Sequence, residues 1–218
     1  MMIFDAHMLA RYFVLGTQDV RDEAKFFEVL TAALQSGITL FQYREKGPGA
    51  LIGTDKLRVA QKVRALTHQY HVPLVIDDDI ALAHAVQADG VHFGQGDGAP
   101  EKNIQQAGAL FVGVSVSTPQ EYARIADLSG IDHIGIGPVY LTHSKADAKP
   151  AIGTAGLQAI AEMSRWPSVA IGGITLENLA AVLNTDVAGA AVISMISQSD
   201  DIAQTLQFWQ TLSTKKEP

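Results

Sequence analysis

Asp78 and Asp97 end two apolar runs, VPLVIDDD (72–79) and DGVHFGQGD (89–97), each of which reads as a buried strand that stops at acid. Two carboxylates delivered by neighbouring strands can hold one hard divalent cation. Mg2+ in particular takes one or two carboxylates and completes its shell with water and phosphate. Arg44 and Lys46 close an earlier run, ITLFQYREK, one residue apart. In an extended end both can face the same side, the Arg offering a planar fork for phosphate oxygens and the Lys a compact point charge. A magnesium-type site beside a cationic clamp is the chemistry of pyrophosphate. The plain alternative is that Asp79 caps the next helix, Asp77 and Asp78 are solvated loop acids, and Arg44 and Lys46 pair with neighbours such as Glu45. Three consecutive acids on an alternating strand cannot all point one way, so these roles divide among them.

The acids and cations act together only if the fold brings them to one place. Short β-rich runs alternate with longer amphipathic stretches along the chain. The runs are 11–16, 38–44, 73–77, 90–94, 110–115, 133–137, 168–173 and 188–194; helix-like segments lie at roughly 22–36, 49–70, 79–87, 101–107, 118–129, 154–165, 175–184 and 199–213. Apolar runs without polar alternation suit strands covered on both faces, hence a parallel sheet. Eight βα units close most naturally into a (β/α)8 TIM barrel, read here as a single α/β domain over 1–218, with a doubly wound open sheet as the alternative. In a barrel the active site lies at the C-terminal ends of the strands. Arg44, Lys46, Asp77 to Asp79, Gln95, Asp97, Ser115, Thr142, Ser144, Lys145, Gly172, Gly173 and Ser194 all fall at that end. Thr118 before Glu121, and Thr175 before Glu177 and Asn178, read as helix caps.

Composition narrows the partners. The 218 residues are 47% hydrophobic, enough for one sizeable core. A net charge of −7 without a basic run argues against nucleic acid and anionic membrane as partners, while leaving room for an anionic small molecule at a local cluster of cations. There is no Cys, so disulfides, thiolate metal sites and a cysteine nucleophile are excluded. That fits the cytoplasm, as does an N-terminal stretch without the layout of a signal peptide. A homo-oligomer is compatible with all of this.

AIGGI (170–174) offers backbone N–H groups that can approach a ligand closely, and it leads into a helix. VISMI (192–196) follows the last strand. The loops after strands 7 and 8 are the frequent phosphate site of these barrels; alternatively the glycines only permit a tight turn. The long irregular stretch 138–153 carries Thr142, Ser144 and Lys145, and loops of that length are usually functional or mobile. Lys145 could close over an anion as part of a lid; taken alone it reads as a solvated loop lysine. His92 reads as a barrel-interior residue, and His133 and His143 have no partner at metal-site spacing. No Ser/His/Asp hydrolase pattern, Walker A or GxGxxG is present.

Seven segments in order, FQYREK, LVIDDDIALA, ADGVHFGQGD, GVSVST, HIGIGPVYLTHSK, AIGGITLEN and AAVISMI, make the chain resemble the thiamine-phosphate synthase family across nearly its whole length. The resemblance implies a Mg2+-dependent transferase. It joins hydroxymethylpyrimidine pyrophosphate to hydroxyethylthiazole phosphate, releasing pyrophosphate. It further implies that Asp78 and Asp97 hold the metal and that Arg44, Lys46 and Lys145 bind the pyrophosphate substrate, with Gln42 at the pyrimidine. Ser115 would bond the departing pyrophosphate, Thr142 and Ser144 the thiazole, and Gly173, Ile193 and Ser194 the thiazole phosphate. The chain departs from the family pattern at Asp77, where Asn is usual, at Asp79, at Leu141 and at Ser144. Asp77 could accept a bond from the pyrimidine amine, add a metal ligand, or raise the cost of binding pyrophosphate. Two rivals share the fold: a thiazole tautomerase, which would not need the metal and pyrophosphate set, and a non-catalytic barrel that binds phosphate ligands.

Overall fold

The computed structural model describes residues 3–142 and 149–213. Eight strands form a closed parallel barrel in chain order: β1 (Arg11–Leu15), β2 (Leu40–Tyr43), β3 (Leu74–Asp77), β4 (Gly90–Phe93), β5 (Phe111–Val116), β6 (His133–Ile136), β7 (Ser168–Ile171) and β8 (Gly189–Val192). Between them run α1 (Glu23–Gln35), α2 (Gly53–Gln69), α3 (Ile80–Ala85), α4 (Pro100–Ala107), α5 (Pro119–Ile125), α6 (Gly153–Met163) and α7 (Leu179–Leu183); α8 (Ser194–Ser197) and α9 (Ile202–Ser213) follow β8. The (β/α)8 expectation therefore holds, and the open-sheet alternative does not.

The strands are mostly apolar because they serve two cores. Phe13, Leu15, Phe41, Tyr43, Leu74 and Ile76 point outward and pack under the helices. Tyr12, Val14, Leu40, Val75, Phe111 and Val169 point inward and fill the barrel. A 3-10 turn over Ala6–Leu9, capped by the Asp5 carboxylate on the His7 N–H, puts Leu9 against the barrel floor with Phe4 and Met8 beside it. Side chains alternate along every strand, so the inward set of β2 continues from Leu40 through Gln42 to Arg44.

Two differences from the sequence expectations bear on the site. The seventh helix begins at Leu179, not 175: Asn178 is its N-cap residue, and the Asn178 Oδ1 accepts the Thr175 N–H at 2.9 Å. Ser194, expected at the end of a strand run, instead opens the short α8. The other capping expectation is met, since Thr118 Oγ1 accepts the Glu121 N–H and the Glu121 carboxylate accepts the Ser117 N–H at 2.7 Å. Among the described residues no helix is long and apolar enough to cross a membrane.

Candidate active site

The three acids after β3 part at once. Asp77 is the last residue of the strand and points inward; its Oδ2 lies 3.3 Å from the Nε of buried Arg44. Asp78 has φ +60°, a left-handed conformation that turns its side chain away from the strand direction, and its N–H is tied to the carbonyl of His92 on β4. Asp and Asn are the side chains best suited to that conformation after Gly. Asp79 caps α3 by accepting the Leu82 N–H and pairs with Lys56 at 2.9 Å. Its role is thus the plain structural one.

Asp97 reaches the same point from the next loop. The Gly94 N–H binds its Oδ2 at 2.8 Å, and Asn103 Nδ2 donates to its carbonyl. Gly94 is needed for this approach, because a methyl there would stand 2.8 Å from the carboxylate. The free oxygen of Asp97 and that of Asp78 converge on one cation, Lys46 Nζ, at 2.8 and 2.5 Å. Burial pushes the Asp78 carboxyl up to about 7, and repulsion from Asp77 and Asp97 adds to it against the pull of Lys46. Asp97 lies below its ordinary value: burial opposes ionisation, but bonds from Lys46, Asp78 and the Gly94 N–H outweigh it. Lys46 is held above the usual lysine range by its two carboxylate partners, against burial. Two acids with oxygens on one point, one of them reluctant to ionise, form a site that gains from a second positive charge.

The rest of the cavity is built from the other strand ends. Arg44, Lys46, Asp77, Asp78, Asp97, Ser115, Thr142, Gly173, Ile193 and Ser194 line one pocket. A smaller, deeper cavity beneath it is shared by Gln42, Arg44, His92, Ser115 and Ile193. Gln42 is buried there, its amide donating to Tyr12 Oη at 2.7 Å. Gly172 and Gly173 both have positive φ, and a methyl on Gly173 would lie 2.4 Å from the Leu141 carbonyl, so the turn after β7 requires glycine on steric grounds alone. Asn178 Nδ2 fastens that turn by donating to the Gly173 carbonyl. Ser144 and Lys145 lie outside the described residues.

Sequence reasoning missed one lining group and one contact. Lys149 faces the pocket and pairs with Glu121; the basic character of the 138–153 loop was the available signal. His92, expected in the barrel interior, is indeed buried there, and its Nε2 also meets Ser115 Oγ at 2.8 Å. Among the described residues no group of three or more His, Asp or Glu converges as a metal cage.

A pocket lined by Arg44, Lys46 and Lys149 at the C-terminal mouth of a (β/α)8 barrel, with paired carboxylates beside it, is the arrangement of a phosphate-handling barrel enzyme. The sequence model of the family described as thiamine monophosphate synthase matches residues 11–196, and the chain belongs to that family. A thiamine-phosphate synthase of Leuconostoc citreum (strain KM20) is 66% identical over 209 residues, 96% of this chain and 99% of that protein. One of Staphylococcus saprophyticus is 42% identical over 212 residues, 96% of this chain and 100% of that protein. A solved structure of thiamine phosphate pyrophosphorylase from Pyrococcus furiosus superposes with a TM-score of 0.83 at 30% identity, covering 96% and 98% of the two chains.

Proposed function

We infer that the protein is a transferase that joins hydroxymethylpyrimidine pyrophosphate to hydroxyethylthiazole phosphate, forming thiamine phosphate and releasing pyrophosphate. Family membership and the close relatives support the reaction; the observation within the site that carries it is the convergence of Asp78 and Asp97 on Lys46 Nζ. That pair of oxygens fits one Mg2+, whose remaining positions water and phosphate would fill. Bound there, the ion would neutralise charge on the leaving pyrophosphate.

The chain's own residues supply the rest of the proposed chemistry. Gln42, at the bottom of the deeper cavity, orients the pyrimidine. Arg44 and Lys46 face its pyrophosphate, Lys145 is assigned to the same substrate by the family pattern, and Ser115 bonds the departing oxygen. Thr142 and Ser144 hold the thiazole, with its phosphate on the N–H groups around Gly173, Ile193 and Ser194. The methylene C–O bond breaks with its electron pair leaving on pyrophosphate, and the electron-rich aminopyrimidine supports the cation until the thiazole nitrogen forms the new C–N bond. No protein nucleophile is needed. Preoriented cations aimed at the leaving group provide the main acceleration, and the reaction requires that water be kept from the cation.

Asp77 is best read as raising the cost of binding pyrophosphate, because it already engages Arg44. Asp77→Asn keeps an oxygen for the guanidinium but removes the competing charge. Pyrophosphate affinity should rise about tenfold, as befits one charge-assisted contact, measured by calorimetry in Mg2+; an unchanged affinity would remove any special role for the acid.

Metal binding should also depend on pH in one direction. Asp78 must lose its proton to bind Mg2+, and in the protein its carboxyl holds that proton up to about pH 7. Affinity for Mg2+ should be level above that pH and fall about tenfold per unit below it, as for one competing proton. Calorimetric titrations between pH 5.5 and 8.5 check the slope.

A tautomerase or a purely binding barrel would behave differently. Calorimetry with inorganic pyrophosphate should give binding that Mg2+ strengthens and EDTA weakens. Binding indifferent to both would remove the metal-assisted reading.

A further inference from the structure

One cation of the pocket has no part in the proposed reaction. Arg44, Lys46 and Lys149 all line the cavity, but they stand in different surroundings. The carboxylate partners of Arg44 and Lys46, namely Asp77, Asp78 and Asp97, line it with them. Two cations are thus set against three acids, so without a metal ion this part of the rim offers an anion no net attraction. Lys149 differs. Its partner Glu121 does not line the pocket. The acid lies behind the wall, and the ammonium faces the cavity.

Glu121 is itself well fixed. It sits in the first turn of α5, its Oε2 accepts the Ser117 N–H at 2.7 Å, and its side chain is only 13% exposed. Its other oxygen, Oε1, accepts Lys149 Nζ. The chain beyond Lys149 is tied down as well: the Ile152 N–H donates to the Pro138 carbonyl at 3.0 Å, and the Gly153 N–H to the Val139 carbonyl at 2.9 Å. Lys149 follows β6 in sequence, yet the pairing draws its ammonium to the start of α5, beside Ser117. An ammonium has three N–H donors. Lys46 spends two of them on Asp78 and Asp97, whereas Lys149 spends one on Glu121 among the described residues. A fixed lysine with donors to spare, and with its counter-charge outside the ligand space, suits a phosphate oxygen. The plain alternative is a rim ion pair, and such pairs contribute little.

We propose that Lys149, anchored by Glu121, is a phosphate-binding residue of the pocket and contacts the pyrophosphate end of the substrate on its β5 side. Its neighbours decide which phosphate. Ser115 and Ser117 alternate onto the same face of the β5 end and both line the pocket. Gly173 and Ser194, given to the thiazole phosphate, follow β7 and β8. The choice of pyrophosphate rests on the role given to Ser115 above; anion binding at Lys149 does not.

Calorimetry with inorganic pyrophosphate in Mg2+ tests this, with hydroxyethylthiazole phosphate as the second ligand. Lys149 is nearly half exposed, so its substitution leaves the fold intact. Lys149→Gln should weaken pyrophosphate about tenfold, as for one charge-assisted contact. It should change the affinity for thiazole phosphate less than about twofold, as for a site with no shared partner. Lys149→Arg restores the charge and should keep pyrophosphate within about threefold of the unsubstituted protein. Glu121→Gln keeps an oxygen for the Ser117 N–H but ends the ion pair, and should change pyrophosphate affinity less than about threefold. An unchanged pyrophosphate affinity in Lys149→Gln overturns the proposal. So does a loss as large in Glu121→Gln, which would make the pair a structural tie, or one as large in Lys149→Arg. An equal or greater loss with thiazole phosphate overturns it too. If the variants behave as expected but the unsubstituted protein makes no thiamine phosphate, it is the functional reading that fails, and the anion contact stands.

Discussion

Asp78→Asn should reduce thiamine phosphate formation about 100- to 1,000-fold, the scale of losing one preoriented electrostatic group at a developing charge, while leaving the fold as stable as before or more so. The two effects part because the carboxylate serves the ligand at the expense of the protein. Asp78 sits beside Asp77 and faces Asp97, and its carboxyl is raised to about 7 chiefly by burial. A folded-state pKa above the unfolded value means that stability is lost as pH rises from the ordinary carboxylate range to about 7, with the full loss in place above that pH. Asn carries no such charge, so its advantage in Tm should be greatest above pH 7 and vanish toward pH 4. Asn also tolerates the left-handed backbone at φ +60°, where Ala would be strained. Melting curves at pH 5 and 8, with turnover assays at saturating Mg2+, separate the two outcomes. A lower Tm at pH 8 would contradict this account of the acid pair.

Arg44→Met should have the opposite signature, losing both stability and ligand. Arg44 and Asp77 are both more than 85% buried as side chains, with 7% and 10% exposure, and they face each other at the end of the barrel interior. Removing the guanidinium strands a buried carboxylate, which costs about 3 kcal/mol, or about 10 °C in Tm for a chain of this size. Pyrophosphate affinity should fall about 10- to 100-fold with the loss of a charge-assisted contact. Adding Asp77→Asn to Arg44→Met should restore most of the stability, while affinity stays below that of the unsubstituted protein. If the double variant also recovered pyrophosphate binding, the ligand contact would belong elsewhere.

The strands were legible because they are largely apolar on both faces, and strand alternation and capping rules showed that Asp77, Asp78 and Asp79 must divide their roles, with Asp79 a candidate cap; the turn of Asp78 into the site rests on its left-handed backbone. The common location of Arg44, Lys46, Asp78 and Asp97 was legible because a barrel places every strand end on one rim. Other features depended on distance relations that periodicity does not carry. Thr175 has the chemistry of a cap, but Asn178 takes the position because Gly172 and Gly173 spend three further residues on the turn. The run 188–194 reads as strand up to Ser194, yet Ile193 leaves the extended conformation and α8 begins at Ser194. The contact between His92 and Ser115 depends on the register of β4, β5 and β6 and on the space left by Gly113 and Gly135. Glycine there is informative only once its neighbours are known.

The central claim is that Asp78 and Asp97 seat the ion that accompanies a departing pyrophosphate. Incubating the protein with hydroxymethylpyrimidine pyrophosphate and hydroxyethylthiazole phosphate tests it most directly, with thiamine phosphate and pyrophosphate both quantified in Mg2+ and in EDTA. The account predicts equimolar products in Mg2+ and almost none in EDTA. Product formed equally in both conditions would contradict the metal seat, and no product in either would contradict the function.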